Sequence, residues 1–279
     1  MNAPARPRLS QSGRPPVLTA EAMNERGETV VRGIATERPL TIYLDRREVV
    51  TLMTIGQYPE HLVLGYLRNQ RLLESLEQVE SVQVDWETGA AAVTTRQPAA
   101  TEDERLSRRT VTSGCGQGTL FGNILEEVAS TRLQPPRLRQ SDIYRLLRSV
   151  ARYNEIYRHA GAVHSCALCH GEEIIYSVED VGRHNAVDTI SGMMWMDGVE
   201  GADKLFYTTG RLTSEMVIKV VQMKVPVLLS RSGITHAGLE YARRCNVLTI
   251  ARAKGRHFLV YHGAGNVVLD EPAGESGPD

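Results

Sequence analysis

A single cysteine, Cys115, lies among four glycines in the eleven residues 112–122, TSGCGQGTLFG. A glycine-rich segment can bind a phosphate, make a tight turn or leave space around a reactive side chain. A thiol is a nucleophile only as the thiolate, so a reactive cysteine needs partial exposure and nearby positive charge. By itself, the segment fits a nucleophilic cysteine and a structural cysteine in a glycine turn equally well.

Residues 164–170, HSCALCH, are a second place where the residue types could do chemistry. CALCH has the spacing of a c-type haem attachment site, but haem attachment requires export and the N-terminal segment lacks the pattern of a secretory signal. Zinc could be bound by His164, Cys166, Cys169 and His170. In a strand, however, Cys166 and Cys169 point to opposite faces, and no second pair follows at zinc-finger spacing.

A catalytic zinc deaminase is a further alternative for this segment. It would require an H-x-E motif and a later P-C-x-x-C motif, whereas Cys166 stands where the glutamate belongs and the later motif is missing. We therefore favour buried, apolar cysteines in a core strand and expect no permanently bound metal.

Three segments combine glycine with Ser, Thr or Asp between a strand and a helix: VEDVGRHNAVD (178–188), YTTGRLTSEM (207–216) and LLSRSGITHAG (228–238). Each carries one arginine: Arg183, Arg211 and Arg231. A fourth basic segment, ARAKGRHF, covers 251–258. Glycine lets backbone N–H groups approach a ligand, and arginine is a forked donor that matches phosphate oxygens. The pattern favours an anionic ligand, and the alternative is ordinary turns with surface arginines.

The elements that must position these residues fall into two patterns. LTIYLDRREVVTLMTI predicts two strands with a turn at 45–47, a helix begins near Pro59, and VESVQVDWETGAAAVTTR predicts a hairpin turning at Thr88-Gly89. Residues 28–110 are therefore predicted to form a small N-terminal α+β unit. Residues 111–139 are the glycine-rich loop with its connecting segment.

Residues 140–266 alternate between helical and strand patterns. The predicted order is a helix opened by Ser141, then strands 161–168 and 172–178, helix 184–195, strand 204–208, helix 213–224, strand 226–230, helix 236–245, and strands 247–251 and 257–262. This order predicts an α/β fold with a mixed, largely parallel sheet and helices on both faces. Ligands of such sheets bind beyond the carboxyl ends of the strands, where the glycine segments lie.

Composition narrows the class of protein further. The 279 residues are 42% hydrophobic and 23% charged, with net charge −1, so no charge excess points to nucleic acid. Lysine and proline interrupt the longest apolar runs, which predicts that the protein does not cross a membrane. We expect disordered tails over 1–27 and, with acidic character, over 267–279. We also expect a cytoplasmic protein with reduced cysteines.

The motifs EDVGRHNAVD, TTGRLTSEMVIK and SGCG, together with ERPLTIYLDRREVVTLMTIGQYPEHLVLGYL, resemble the FdhD family, the formate dehydrogenase accessory sulfurtransferases. The resemblance covers residues 28–263. It implies a cytidine-deaminase-like fold without the zinc site, homodimerisation, and binding of the molybdenum or tungsten bis-pyranopterin guanine dinucleotide cofactor as cargo. The implied function is to take persulfide sulfur from a cysteine desulfurase and deliver it to that cofactor for formate dehydrogenase.

The resemblance implies that Cys115 is the sulfur carrier. The family loop usually has a second cysteine three positions later, where this sequence has Gly118, so a disulfide within the loop cannot form. The predicted cofactor-binding residues are Gly182, Arg183, His184, Gly210, Arg211, Arg252, Ala253, Lys254, Gly255, Arg256 and His257. The alternative function is a non-enzymatic chaperone that binds the cofactor and formate dehydrogenase without carrying sulfur.

Overall fold

A computed structural model describes residues 6–97, 109–112, 118–121, 128 and 130–271. The chain divides into two compact units that interleave along the sequence. The first unit comprises Met1–Gly122, Glu155–His164 and Glu179–Gly198, and the second comprises Asn123–Asn154, Ser165–Val178 and Val199–Asp279. The predicted division at residue 140 is therefore corrected, because two later segments belong to the first unit.

The helices in the described part of the chain are α1 (Pro59–Asn69), α2 (Gln140–Tyr153), α3 (Glu155–Ala160), α4 (Arg183–Asp197), α5 (Ser214–Gln222) and α6 (His236–Arg244). Short 3-10 turns cover Leu76–Gln78 and Ala264–Asn266. None of the helices in the described residues combines the length and the apolar character that a membrane crossing requires.

The strands of the first unit are β1 (Arg8–Leu9), β2 (Val17–Met23), β3 (Thr29–Ala35), β4 (Arg38–Leu44), β5 (Arg47–Thr54), β6 (Val79–Asp85), β7 (Ala90–Thr95), β8 (Arg109–Thr112) and β9 (Gly118–Phe121). One sheet has the order β1-β6-β7-β4-β5, while β2-β3 and β8-β9 form two-stranded ribbons. Alternating residues of β4, Leu40, Ile42 and Leu44, are buried, as expected for a sheet covered on one face. The predicted turn between β4 and β5 is confirmed.

The N-terminal segment is more ordered than its composition suggested. We expected a disordered tail over 1–27, but β1 pairs with β6 in parallel and β2 pairs with β3 along its whole length. The carboxylate of Glu60, which is 4% exposed, accepts hydrogen bonds from Ser10 Oγ at 2.7 Å and from Ser12 N at 2.6 Å. These distant partners explain why residues 6–27 depart from the prediction.

Helices α1 and α4 of the first unit pack together at close range. A Cβ atom added to Gly65 would lie 1.7 Å from the carbonyl oxygen of Asp188, and one added to Gly192 would lie 1.9 Å from the carbonyl oxygen of His61. Beside this crossing, Asn69 Nδ2 donates to Asp188 Oδ1 at 2.7 Å. Glycine at both positions therefore allows the two backbones to touch.

The strands of the second unit's sheet, which has the order β12-β11-β13-β14-β15-β16, are β11 (His164–His170), β12 (Glu173–Asp180), β13 (Leu205–Thr208), β14 (Val227–Ser230), β15 (Leu248–Lys254) and β16 (His257–His262). The sheet is mixed, as predicted, but its parallel part is confined to β13, β14 and β15. Strands β11 and β16 run antiparallel to their neighbours in this group.

Side chains are buried on both faces of β13 and β14, as in a sheet covered by helices. On one face, α2 contributes Ile143, Leu146, Leu147 and Val150 to a core that includes Tyr207, Leu229 and Ile250. Helices α5 and α6, which contact each other, connect the three parallel strands. Parallel crossovers of one hand place such connecting helices on the same face of a sheet.

The predicted long helix after Ser141 is two helices, α2 and α3, separated at Asn154. Ser141 is not the N-cap, because that position is occupied by Arg139. Ser141 instead lies in the first turn, where its amide and hydroxyl donate to Asp270 at 3.0 and 2.7 Å. These hydrogen bonds lower the pKa of Asp270.

The predicted disordered tail over 267–279 also begins with ordered residues. Strand β17 (Val267–Val268) pairs in parallel with β10 (Leu138–Arg139), and Asp270 and Glu271 both form hydrogen bonds. Residues 272–279 lie outside the described residues. The same holds for residues 98–108 and for Cys115, although the strands β8 and β9 on either side of Cys115 are described.

Candidate functional site

The carboxyl ends of β13, β14 and β15 bring three of the predicted loop segments together in the second unit. The Arg231 amide donates to the Thr208 carbonyl at 3.0 Å, and the Arg252 amide donates to the Ser232 carbonyl at 2.8 Å. The Leu212 amide also donates to the Gly233 carbonyl at 3.0 Å. Backbone hydrogen bonds thus join the loop after β13, the loop after β14 and the end of β15 into one edge.

Two buried hydroxyl groups shape these loops. Thr208 and Ser230, each fully buried, are the last residues of β13 and β14. Thr208 Oγ1 accepts from the Gly210 amide at 3.0 Å, and Ser230 Oγ accepts from the Ser232 amide at 2.9 Å. Neither residue was among the predicted site residues. Their signal is a Ser or Thr that ends a buried strand two residues before a Gly or Ser, the pattern of a hydroxyl-stabilised turn.

The edge presents cations to solvent through the exposed side chains of Arg211, Arg231, Arg252 and Lys254. None of these four cations forms an ion pair with a residue that the structure describes. Arginine side chains with free forks beside glycine turns suit phosphate groups, which accept several hydrogen bonds at once. We call these four residues, with Gly210, the basic edge.

Arg252 has a backbone conformation that is unusual for a residue with a side chain. Its φ is +53°, in the left-handed region, and it lies in an irregular stretch of β15 between Ala251 and Lys254. A non-glycine residue in this region costs about 1 kcal/mol. The hydrogen bond from the Arg252 amide to Ser232 opposes that cost and holds the arginine at the basic edge.

The rest of the predicted segment 252–257 has several environments. The Ala253 side chain is 1% exposed and packs in the core, so only its backbone could reach a ligand. Gly255, with φ +60°, lies in the hairpin turn that places Lys254 opposite His257, which is exposed. Arg256 forms an ion pair with Glu271 and stacks on Tyr144, so that side chain already has partners within the chain.

The loop around Gly182 belongs to the first unit, whereas Gly210, Arg211 and residues 252–257 belong to the second. Asp180, which is 3% exposed, accepts hydrogen bonds from the Gly182 amide at 3.0 Å, Asn185 Nδ2 at 2.9 Å and Thr54 Oγ1 at 2.5 Å. Burial raises the pKa of Asp180, while these hydrogen bonds oppose the rise. Asp180 therefore fixes the turn that begins α4.

Arg183 and His184, the first residues of α4, are 3% and 9% exposed. We expected Arg183 to be an open donor like Arg211, but its side chain is buried. The structure thus brings Gly210, Arg211 and Arg252 together in one unit, and it places Gly182, Arg183 and His184 in the other.

Cys166, Cys169 and Cys245 form no disulfide within the described residues, and all three are buried. The burial of Cys166 and Cys169 confirms the predicted buried cysteines in the core strand β11. Burial raises the pKa of the Cys169 thiol to about 12 and also raises the pKa of Cys245. Cys166 Sγ donates to Thr208 Oγ1 at 3.3 Å. Among the described residues, no group of three or more His, Cys, Asp or Glu side chains is arranged to bind a metal ion.

The fold and the site define an α/β protein with a cationic loop edge beyond its parallel strands. Residues 35–268 match the family model of the FdhD/NarQ family. Because this match covers most of the sequence, the chain belongs to the FdhD/NarQ family.

Curated relatives match most of this chain over most of their own length. The sulfur carrier protein FdhD of Listeria monocytogenes serotype 4b is 31% identical over 239 residues, which is 85% of this chain and 92% of the relative. The protein of the same name from Bacillus subtilis is 28% identical over 229 residues, 82% of this chain and 87% of the relative.

A solved structure has the same overall fold. It is the crystal structure of a candidate formate dehydrogenase accessory protein from Desulfotalea psychrophila, and it superposes with a TM-score of 0.73 at 22% sequence identity. The alignment covers 91% of this chain and 100% of that chain. This similarity shows a common fold for the two proteins.

Proposed function

We propose that this protein is a sulfur carrier that accepts persulfide sulfur on Cys115 and transfers it to a pyranopterin cofactor. The donor is a cysteine desulfurase, and the cargo is the molybdenum or tungsten bis-pyranopterin guanine dinucleotide cofactor of formate dehydrogenase. Family membership supports the sulfur-carrier role, because curated relatives have that name. The protein acts in the cytoplasm as a homodimer, with the cytidine-deaminase-like fold that the family resemblance predicts.

One observation carries the choice of Cys115. The other three cysteines are buried, and burial raises the pKa of Cys169 to about 12 and that of Cys245 above its ordinary value. A thiol must be accessible and ionised to attack a persulfide. Cys115 is the remaining cysteine of the sequence, and its two neighbours are glycines, which have no side chains.

The first transfer is a thiol exchange in which no external oxidant is consumed. The Cys115 thiolate attacks the outer sulfur of the desulfurase persulfide, and a new sulfur–sulfur bond forms on Cys115. The sulfur–sulfur bond of the donor breaks, and the donor cysteine leaves as a thiolate. In the second transfer the sulfur–sulfur bond of the Cys115 persulfide breaks, the outer sulfur bonds to the metal of the bound cargo, and Cys115 leaves as a thiolate that is ready for a further cycle. The two electrons that reduce this sulfur to sulfide would come from the metal of the cargo.

The basic edge supports the choice of cargo, because a guanine dinucleotide carries phosphates. Arg211, Arg231, Arg252 and Lys254 provide exposed cations beside the turn at Gly210 in the second unit. Phosphate oxygens accept several charge-assisted hydrogen bonds from such groups. Gly182, Arg183 and His184, and the remaining residues of 252–257, stay predicted contacts of the same cargo.

Mass spectrometry tests the sulfur-carrier role directly. The protein is incubated with cysteine desulfurase and cysteine and then analysed as intact chains and as peptides. We expect an adduct of about 32 Da, one sulfur atom, on the peptide that contains Cys115. Cys115→Ala is expected to lose the adduct, whereas Cys245→Ala, which removes a buried thiol, is expected to keep it.

A non-enzymatic chaperone that binds the cofactor without carrying sulfur is the second candidate. The observation that favours it is that the basic edge brings exposed cations together in the second unit, and binding of an anionic cofactor by such cations needs no thiol. A chain that binds the cargo but gains no sulfur from the desulfurase would establish the chaperone role instead. Persulfidation of Cys115 would exclude it.

A further inference from the structure

We infer that Ser230 is a positioning residue that holds Arg211, Arg231 and Arg252 in one arrangement for the phosphates of the cargo. This inference rests on the proposed function, because it concerns how the basic edge binds its ligand. Ser230 itself is fully buried, so its side chain is not open to a ligand in solution. It acts through two hydrogen bonds of its hydroxyl group.

The two hydrogen bonds join the peptide groups next to two of the arginines. Ser230 Oγ donates to the Gly210 carbonyl at 2.7 Å, and that carbonyl belongs to the peptide group that leads into Arg211. Ser230 Oγ also accepts from the Ser232 amide at 2.9 Å, and that amide belongs to the peptide group that follows Arg231. One hydroxyl therefore fixes the backbone beside both side chains.

The third arginine is connected through the same serine loop. The carbonyl of Ser232, whose amide binds Ser230, accepts the Arg252 amide at 2.8 Å. Arg252 has a left-handed backbone, so its direction depends on this hydrogen bond. A continuous chain of hydrogen bonds thus runs from Gly210 through Ser230 and Ser232 to Arg252.

Loss of the Ser230 hydroxyl would leave a buried carbonyl and a loop amide without their partners. The loops after β13 and β14 would then move relative to each other to recover hydrogen bonds. Exposed arginine side chains are long and flexible, so their common arrangement depends on where their backbones are held. Binding of a multivalent anion is weakened when that arrangement is lost.

Thr249 provides a matched control in the same sheet. It is also fully buried, and its hydroxyl donates to the Val247 carbonyl at 2.9 Å, two residues earlier in the chain. Within the described part of the chain, its hydroxyl forms no hydrogen bond with the loops of the basic edge. Thr249→Ala removes a buried hydroxyl as Ser230→Ala does, but it leaves the arginine loops joined.

The test uses the full chain and measures binding of GDP, a fragment of the proposed cargo, by calorimetry at two salt concentrations. We expect Ser230→Ala to lower the GDP affinity about tenfold and to weaken its dependence on salt. Thr249→Ala is expected to keep the GDP affinity within about twofold of wild type, although its free energy of unfolding in urea should fall about as much as that of Ser230→Ala. A merely structural role of Ser230 would change stability alike in both variants and leave the salt dependence of binding unchanged.

Equal GDP affinity of Ser230→Ala and the wild type would overturn the positioning role while leaving the proposed cargo site intact. Failure of the wild type to bind GDP would overturn the cargo site and, with it, this inference. Ser230→Cys replaces Ser230→Ala if the alanine variant does not fold, because a thiol fills the space but is a weak hydrogen-bond donor. Wild-type binding by Ser230→Cys would then overturn the inference.

Discussion

The guanidinium carbon of Arg256 lies 4.9 Å from the centre of the Tyr144 ring, on the side of the second unit covered by α2. The same guanidinium group is paired with the Glu271 carboxylate. Arg256 therefore stabilises the hairpin after β15 against the C-terminal segment, whereas Arg252 and Lys254 have no such partners among the described residues. Of the basic residues in 252–257, Arg256 therefore has contacts within the chain, whereas Arg252 and Lys254 are available to bind a ligand.

This division predicts different effects of alanine substitutions on GDP binding. The double variant Arg252→Ala and Lys254→Ala removes two charge-assisted hydrogen bonds, so we expect the affinity to fall at least about tenfold. Arg256→Ala is expected to change the affinity less, and to lower the free energy of unfolding by about 0.5–1 kcal/mol, because the side chain is half exposed.

Calorimetry for binding and urea unfolding for stability measure the two effects. Arg137→Ala is the control for an exposed arginine elsewhere in the second unit, and it should bind GDP like the wild type. A loss of affinity in Arg256→Ala that matched the double variant would show that Arg256 releases Glu271 to bind the ligand.

Thiol reactivity should separate Cys115 from the three buried cysteines. At pH 8 a thiol with a pKa of about 12, such as Cys169, is ionised in roughly one molecule in ten thousand. We therefore expect iodoacetamide to label one thiol per native chain and four per chain in urea. Cys115→Ala should show no rapid labelling in the native state, and rapid labelling of that variant would show that a described cysteine opens to solvent.

Gly65 is predicted to tolerate no side chain. An added Cβ would lie 1.7 Å from a backbone oxygen of α4, a contact that cannot be relieved by a rotamer change. Replacement of glycine by alanine in a helix gains about 1 kcal/mol in propensity, which does not offset the separation of α1 from α4. We expect Gly65→Ala to lower the free energy of unfolding by about 3 kcal/mol or more.

Urea unfolding followed by circular dichroism measures this loss. Gly265→Ala is the control, because its added Cβ would have no neighbour within 4 Å and its φ is not in the left-handed region. Its free energy of unfolding should stay within about 0.5 kcal/mol of wild type. Unchanged stability of Gly65→Ala would mean that the two helices do not touch at this crossing.

The stability of the first unit should depend on pH through His61. Burial lowers the pKa of His61 below its ordinary value of 6.5, although Glu60 and Asp197 oppose the change. Below pH 6.5 the unfolded chain binds a proton before the folded chain does, so stability falls as the pH falls through this range. Above pH 6.5 both states are neutral, and the contribution of His61 is constant.

Denaturation of wild type and His61→Gln between pH 5 and pH 8 measures this contribution as a difference between two proteins. Subtraction removes the effects of other titrating groups, including Asp180, whose pKa is shifted in the opposite direction. We expect the wild type to lose stability relative to His61→Gln on acidification. A constant difference across the range would contradict the assignment.

The local pattern of apolar and polar residues was sufficient to predict much of the secondary structure of the second unit. The strands β13, β14 and β15 lie close to their predicted positions, because short apolar runs between glycine-containing turns have few other solutions in an α/β chain. The same turns correctly placed Gly210 and Arg211 at the end of a strand. The burial of the Ala253 side chain could not be predicted from the sequence, because an irregularity in β15 determines which side chains of 252–254 face the core.

Contacts between distant residues account for what the sequence did not reveal. Residues 8–9 have a composition typical of disordered segments, but they pair with residues 81–82. The placement of α4 in the first unit depends on its glycine contact with α1, which no local periodicity indicates. The hydroxyl groups of Thr208 and Ser230 gain their role only when neighbouring loops are folded side by side.

The interleaving of the two units has a consequence for synthesis on the ribosome. Helix α1 is made early, but α4, against which it packs, follows only after about 110 further residues. At roughly 5–20 residues per second, translation of that interval takes on the order of ten seconds. During this time the apolar side of α1 has no α4 to cover it, so the nascent chain offers that surface to chaperones, and no N-terminal fragment that ends before Arg183 can complete the first unit.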